Sequence, residues 1–129
     1  MKAITGKLLA KAARSMEAGR AALAGGHVEA AAGRAYYAMF YVAEALLDDK
    51  GLRFKKHGGV HSTLGEHFVK TKTIDARHHR RLLAAFNKRI TADYGFDVEL
   101  SATEVGEMLE HAREFLETGV SWNRTRDDP

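Results

Sequence analysis

The residues best suited to chemistry lie on the predicted fourth helix, where Arg89 and Asp93 are one turn apart at the border of the apolar face. Asp93 falls in the last turn, where the helix dipole disfavours a carboxylate by about 0.3 kcal/mol or more. An acidic residue in that position is expected to have a specific partner, and Arg89 is within reach. Two interpretations stay open: a structural ion pair at a helix or subunit contact, or a pair with a catalytic role.

A basic loop precedes the predicted third helix and contains Arg53, Lys55, Lys56 and His57, followed by two glycines. Basic side chains and the free N–H groups of a helix N-terminus together favour an anion. No G-x-x-x-x-G-K-[ST] pattern occurs, so the loop is not a P-loop. We predict phosphate contacts from Lys55, Lys56 and His57; the alternative is a solvated surface loop.

The predicted second helix has an unusual apolar character. Its segment 35–47 reads AYYAMFYVAEALL, with Glu44 as the only charge. A helix that is apolar on all sides must be buried on all sides. Either it packs one face on the core and another on a second copy of the chain, or it is the central helix of a five-helix bundle. Arg34 lies one turn before Tyr37, and it can bond a buried tyrosine hydroxyl or point to a ligand. We take both residues as candidate nucleotide- or phosphate-binding residues.

These residues are positioned by a fold that we predict to be all-α, an antiparallel up-and-down bundle of four to five helices. The chain has 129 residues, which fits a single helical domain over residues 1–120 with a polar tail over 121–129. The predicted helices cover about residues 5–24, 28–50, 60–70, 76–94 and 102–120. Glycines at 25, 26 and 51 end the first two helices, Asp75 caps the fourth, and Ser101 with Glu104 opens the fifth.

The composition excludes several classes of site. There is no cysteine, hence no disulfide framework, thiol nucleophile or iron–sulfur cluster. His57 and His61 have i, i+4 spacing, but no H-E-x-x-H occurs and His57 precedes the predicted helix start, so the two need not share a face. We expect no metal and no cofactor. Neither a signal peptide nor a membrane helix is predicted, and the cysteine-free chain fits a cytoplasmic protein.

The charge is divided along the chain. Residues 1–90 contain 17 Lys and Arg against 7 Asp and Glu, a net charge of +10, whereas residues 91–129 contain 3 against 10, a net charge of −7. The division fits helix faces that neutralise one another within the bundle. The alternative is a basic surface for phosphates, nucleic acid or an acidic partner.

Three segments resemble the small prokaryotic HEPN-domain proteins (higher eukaryotes and prokaryotes nucleotide-binding). Residues 33–40, GRAYYAMF, resemble their R-A-Y-Y-A-M-F signature; residues 56–60, KHGGV, resemble K-H-x-G-V; and residues 89–94, RITADY, resemble R-x-x-A-D-Y. The order and spacing agree across about residues 5–118.

The resemblance implies a two-fold homodimer that binds nucleotide or RNA, often beside a minimal nucleotidyltransferase in a toxin–antitoxin or defence pair. Catalytic members are metal-independent ribonucleases with an R-x4-6-H motif. Arg89 matches its arginine, but positions 94–96 are Tyr94, Gly95 and Phe96. A tyrosine shuttles protons poorly near neutral pH. Whether the protein is an enzyme, with Arg89, Asp93 and Tyr94 at the site, therefore stays open; the alternative is a degenerate ribonuclease-fold module with a binding or regulatory role.

Overall fold

The protein is a bundle of helices. The structure is a computed structural model that describes residues 3–53, 56–94 and 100–127. In this part of the chain the elements are α1 (Ala3–Ala24), α2 (Val28–Asp49), α3 (His57–Leu64), a π-helical turn (Gly65–Val69), α4 (Ala76–Tyr94) and α5 (Ala102–Asp127). The predicted all-α class is confirmed. None of these described helices is both long and apolar enough to cross a bilayer.

The α2 helix lies at the centre of the bundle. It contacts α1, α3, α4 and α5, and 13 of its 22 residues are buried. Packing on several sides explains why its sequence lacks a polar face. A single chain thus accounts for the apolar character of α2, as the central-helix interpretation predicted, and a second copy is not needed to explain it.

Two glycines let α5 approach the central helices closely. A Cβ atom on Gly119 would lie 2.8 Å from Cγ1 of Val42 in α2, and a Cβ atom on Gly19 in α1 would lie 2.7 Å from Cδ2 of Leu109. Real Cβ atoms do not approach other carbons so closely, because interiors are already packed at crystal-like density. The absence of a side chain at these positions therefore sets the spacing of α1, α2 and α5.

The helix ends follow the predicted signals. Gly26 and Gly51 have φ values of 82° and 79° and follow α1 and α2, in the left-handed conformation that favours glycine. Asp75 Oδ1 accepts the N–H of Arg77 at 2.9 Å, and Ser101 Oγ accepts the N–H of Glu104 at 3.0 Å. Both acceptors satisfy amides that have no partner within their own helix.

The start of α3 differs from the prediction. The helix begins at His57 rather than near Val60, so His57 and His61 are one turn apart on one helix. It ends in the π-helical turn, where the N–H of Lys70 donates to the carbonyl of Gly65 at 2.9 Å. The earlier start brings the two imidazoles onto the same side of α3, and this determines the geometry of the site described below.

The predicted polar tail from residue 121 needs correction, because α5 continues through Asp127. Trp122 lies edge-on to Phe68, with ring centres 5.4 Å apart, and Asn123 is only 6% exposed. Thr125 Oγ1 donates to the carbonyl of Trp122 at 2.7 Å. The polar composition of residues 121–129 gives no sign that Trp122 packs against the bundle. This contact holds the last turns of α5 in place.

Candidate functional site

The hydroxyl of Tyr36 joins two histidines inside the bundle. Its oxygen lies 2.6 Å from Nδ1 of His57 and 3.0 Å from Nε2 of His61. Tyr36 comes from the middle of α2, and both histidines come from α3. A phenol donates one hydrogen and accepts another, so one imidazole accepts from Tyr36 while the other donates to it.

Aromatic rings enclose this hydrogen-bonded group. Phe40, one turn after Tyr36, stacks on His57 with ring centres 4.4 Å apart and planes 19° from parallel. Phe86 of α4 lies 5.0 Å from His61 and 5.4 Å from Tyr36. The rings keep water away from the tyrosine hydroxyl and fix both imidazole planes.

A positive charge lies at the open side of the group. The guanidinium carbon of Arg89 is 5.0 Å from the ring centre of Tyr37 and 5.9 Å from that of Tyr36. These distances are typical of cation–π contacts. Tyr37, His57 and Arg89 are each half-buried, so part of each side chain reaches solvent. We call the following set the tyrosine–histidine cluster: Tyr36, Tyr37, Phe40, His57, His61, Phe86 and Arg89.

The electrostatics keep the hydrogen-bonded groups neutral at pH 7. Burial raises the pKa of Tyr36 well above its usual range. Burial, and then the charge of Arg89, lower the pKa of His57. Burial is also the main cause that lowers the pKa of His61 to about 4, with His57 contributing next. A protonated phenol and two neutral imidazoles therefore lie beside a permanently charged guanidinium.

The chain matches the HEPN domain over residues 5–122. It belongs to the HEPN family. The protein is 36% identical over 110 residues to a Methanocaldococcus jannaschii protein named "putative toxin", a match that covers 85% of this chain and 75% of that protein. It is 38% identical over 90 residues to a "UPF0332 protein" of Thermotoga maritima, covering 70% and 68% of the two chains. A "UPF0332 protein" of Gloeobacter violaceus is 31% identical over 117 residues, covering 84% and 93%.

The HEPN fold brings together three of the residues selected from sequence. Tyr37, His57 and Arg89 come from α2, α3 and α4 and meet in the tyrosine–histidine cluster. Lys56 is exposed at the N-terminus of α3, directly before His57. These four residues form one continuous candidate site at the junction of three helices.

None of the described contacts of Arg34 connects it to this site. It is exposed, and its backbone carbonyl accepts the hydroxyl of Ser15 in α1 at 2.9 Å. Among the described residues, its side chain has no ring or hydrogen-bond contact with Tyr37. Lys55 lies outside the described residues, as do the side chains of Asp93 and Tyr94, so the predicted Arg89–Asp93 pair remains a prediction.

Sequence reasoning missed four members of the site: Tyr36, Phe40, His61 and Phe86. The i, i+4 spacing of His57 and His61 raises the possibility of a metal site, yet no three or more His, Asp or Glu side chains of the described chain are grouped to hold a metal ion. One signal in the sequence could have indicated them. A tyrosine hydroxyl buried in an apolar helix needs a hydrogen-bond partner, and two histidines follow the next loop.

An apolar cavity of the described chain lies elsewhere. It has a volume of about 370 Å³ between the start of α1, the end of α2 and α3, and Glu44, Asp48 and Arg53 are among its lining residues. Thr5 and Arg53 donate to the buried carboxylate of Asp48 at 2.9 and 2.8 Å. These bonds explain why an acidic residue is tolerated at the end of α2. The tyrosine–histidine cluster instead reaches the surface at Tyr37, His57 and Arg89.

Proposed function

We propose that this HEPN protein binds single-stranded RNA through Tyr37, His57 and Arg89, with Lys56 at the edge of the site. The observation that carries the proposal is the position of the Arg89 guanidinium over the Tyr37 ring, beside a neutral imidazole. A guanidinium matches two phosphate oxygens at once, and an aromatic ring offers a stacking surface to a base.

Each group supplies a different part of nucleotide recognition. Arg89 retains its charge at every physiological pH and holds a phosphate. Tyr37 is half-buried against Tyr36 and Phe40, with ring centres 5.2 and 6.2 Å apart, so its ring is held in place before a base stacks on it. His57 supplies a hydrogen-bonding nitrogen that does not repel the guanidinium while the imidazole is neutral.

The charge around the site favours a strand over a free nucleotide. An extended strand needs a track of charge with exposed rings along it. The net charge of +10 over residues 1–90 provides that charge, and Lys56 lies next to the site.

The proposal includes a toxin-like role in the cell. Two relatives from Methanocaldococcus jannaschii are named "putative toxin", which supports a toxin-like role for this protein. We propose that it acts in the cytoplasm as one member of a toxin–antitoxin or defence pair, with a nucleotidyltransferase as the other member. Growth arrest on expression alone, relieved by co-expression of a nucleotidyltransferase encoded beside it, is the expected result. Unaltered growth in both strains would contradict this part of the proposal.

We further propose a homodimer that uses α4. Leu83 and Ile90 lie seven residues apart on this helix, hence on one side of it, and they are 37% and 38% exposed. Large apolar residues exposed in a row on one helix face are typical of a contact surface. The same face lies one residue from Arg89 in sequence, so a second copy there would place two tyrosine–histidine clusters close together.

The binding proposal is tested with a fluorescein-labelled 20-nucleotide RNA at low salt, measured by fluorescence anisotropy. Replacing Tyr37 with Ala removes the stacking surface and is expected to cost about 1–3 kcal/mol of binding free energy. Arg89→Gln is expected to weaken binding about tenfold, as the loss of one charged phosphate contact. The matched control is Arg124→Gln, which removes the same charge from the exposed side of α5 and leaves affinity unchanged.

Each outcome decides between binding and a passive surface. Circular dichroism must show that every variant remains folded. Equal affinity of the wild type, Tyr37→Ala and Arg89→Gln would contradict binding at this site. Equal weakening by Arg89→Gln and Arg124→Gln would mean that only net charge matters, which is the solvated-surface interpretation of the charge pattern.

A further inference from the structure

The apolar cavity at the junction of α1, α2 and α3 has the size and lining of a site for a small molecule. Its volume of about 370 Å³ falls within the range of roughly 300–1,000 Å³ that is typical of ligand pockets. In its wall Ile4 is 41% exposed and Val60 is 1% exposed, so the cavity extends from the surface of the bundle into its core. Apolar side chains provide most of the described wall: Ile4, Leu8, Leu47, Leu52 and Val60.

The carboxylate of Glu44 lines this cavity without a partner of its own. Glu44 is the only charged residue of segment 35–47, and it is half-buried on α2. Among the described residues, none forms a hydrogen bond or an ion pair with it. Burial raises its pKa, whereas the ammonium of Lys11 lowers that pKa from a distance, since it lies over the ring of Tyr41 at 4.5 Å. A carboxylate set in an apolar wall in this way is costly until a cation meets it.

Asp48, one turn further along α2, has its partners within the chain. Thr5 donates to its Oδ2 at 2.9 Å and Arg53 donates to its Oδ1 at 2.8 Å, so its charge is already balanced. The charged residues of the described wall are Glu44, Asp48 and Arg53, and two negative charges against one positive charge give a net charge of −1. The cavity is therefore locally negative, although residues 1–90 together have a net charge of +10. Salt screens the more distant lysines and arginines over about 10 Å.

We propose that this cavity binds a small organic ammonium, whose N–H groups donate to the carboxylate of Glu44 and whose apolar body fills the space between α1, α2 and α3. No residue of the tyrosine–histidine cluster lines the cavity, so the two sites are separate. The ammonium site goes beyond the proposed RNA binding, and neither of them depends on the other.

The chemistry of the wall selects this class of ligand. An anion would meet a net negative charge, and Arg53, the cation of the described wall, already donates to Asp48. A quaternary ammonium is typically held by aromatic rings, and the described wall contains none. An ammonium with N–H groups matches the unpaired carboxylate, because charge-assisted hydrogen bonds are the strong ones. A carbon chain or ring must accompany it, since burial of apolar surface provides the remaining affinity.

Three probes with the same apolar body test the site: phenylbutylamine, phenylbutanol and phenylbutyrate, which are cationic, neutral and anionic in neutral solution. Each is titrated to millimolar concentration into the full chain labelled at its leucine and valine methyl groups, and binding is measured from NMR chemical shifts. Phenylbutylamine should bind about tenfold more tightly than phenylbutanol, because only the amine forms a charged hydrogen bond, and phenylbutyrate should bind most weakly. The methyl signals of Leu8, Leu47 and Val60 should shift, whereas those of Leu109, which faces Gly19 of α1, should not.

Glu44→Gln separates the charge of the site from its shape. Glutamine keeps the size and a carbonyl acceptor, and the change breaks no hydrogen bond among the described residues, so the variant should fold. Its affinity for phenylbutylamine should fall about tenfold, while its affinity for phenylbutanol stays constant. The matched control is Glu29→Gln, which removes the same charge from an exposed position at the start of the same helix and should leave both affinities unchanged.

Leu8→Trp tests the position of the apolar body. The larger ring takes up part of the cavity, so phenylbutylamine and phenylbutanol should both bind more weakly. Circular dichroism shows whether this variant keeps its helical content. If it does not, the methyl shifts of the wild type still locate the ligand.

Four results would overturn the ammonium site. The first is the absence of methyl shifts with all three probes at millimolar concentration, and the second is shifts confined to methyl groups outside the cavity. The third is an amine that binds no more tightly than the alcohol, or that binds Glu44→Gln as well as the wild type. The fourth is an equal loss of amine affinity in Glu44→Gln and Glu29→Gln, since net charge alone would then explain it. RNA affinity is measured separately on the tyrosine–histidine cluster, so each of these results leaves the proposed function intact.

Discussion

The guanidinium of Arg89 lies 5.0 Å from the ring centre of Tyr37, although the two residues are 52 positions apart in the chain. The contact joins α4 to the exposed edge of α2. It places a permanent charge beside a rigid aromatic surface, with the neutral His57 imidazole next to both. A phosphate and its base meet these same two groups in single-stranded nucleic acid, which is why the pair is the basis of the proposed function.

The basic loop before α3 is expected to contribute phosphate contacts of its own. Changing Lys55 and Lys56 together to Ala should weaken RNA binding, and the plot of log affinity against log salt concentration should lose about one unit of slope for each phosphate contact removed. The measurement is a salt titration of RNA affinity by fluorescence anisotropy. A double variant with unchanged affinity and slope would identify the loop as a solvated surface.

The relation between Arg89 and Asp93 is open to a double-mutant cycle. If the two form a structural pair, Arg89→Ala lowers thermal stability, and adding Asp93→Ala recovers part of the loss. Additive losses would contradict the structural pair. A second double-mutant cycle on Arg81 and Glu114 gives a reference for the interaction energy. Arg81 Nη1 of α4 lies 2.5 Å from Glu114 Oε2 of α5. An interaction of about 0.2–1 kcal/mol is typical of such partly exposed ion pairs.

Much of the fold was predictable because its signals are local. Gly26 and Gly51 end helices through their own backbone conformation, and Asp75 caps α4 through a neighbouring amide. The end of α5 was not predictable in this way. Trp122 packs on Phe68, which lies 54 positions earlier, and periodicity within one helix carries no information about such a distant partner.

The sequence identified individual residues of the site but not their arrangement. Tyr37, His57 and Arg89 were each recognisable by type and local motif, yet their meeting depends on how three helices pack. The bridge from Tyr36 to His57 and His61 depends on α3 starting three residues earlier than its sequence indicated. Residues four apart on a helix point within about 40° of each other, so the earlier start puts His57 on the same side of α3 as His61.

The close packing of α5 on α2 predicts opposite effects for two glycine substitutions. Gly119→Ala places a Cβ 2.8 Å from Val42 and should destabilise the fold by about 1–3 kcal/mol. Gly33→Ala is the matched control, because its Cβ would meet nothing within 4 Å, and alanine in a helix is favoured over glycine by about 0.5–1 kcal/mol. Urea unfolding measures both. Equal stability of the two variants would contradict the tight contact.

The proposed homodimer predicts a change of assembly without a change of fold. Leu83 and Ile90 are more than a third exposed, so Leu83→Glu and Ile90→Glu should leave the helical circular dichroism spectrum intact. At micromolar concentration, light scattering should give the dimer mass for the wild type and the monomer mass for the double variant. A monomeric wild type would contradict the dimer.

The buried histidines predict that stability falls in mild acid. His61 has a pKa of about 4 in the folded protein against an ordinary value of 6.5, so between these values the unfolded chain binds a proton that the folded chain does not. The free energy of unfolding should therefore decrease as pH falls from about 6.5 towards 4, by up to about 1.4 kcal/mol per pH unit for this residue. The lowered pKa values of His57 and His78 act in the same direction, whereas burial raises the pKa of Glu44 and opposes the trend.

Urea unfolding at several pH values between 7 and 4.5 measures this dependence. His61→Gln removes the largest of these contributions and should flatten the curve, even though the variant is less stable at pH 7 because the hydrogen bond to Tyr36 is altered. His27→Gln is the control for the substitution itself, since this histidine is exposed beside the start of α2. A His61→Gln curve parallel to the wild type would show that His61 does not stay neutral in the folded protein, and the hydrogen bond through Tyr36 would then have to be formed by a charged imidazole.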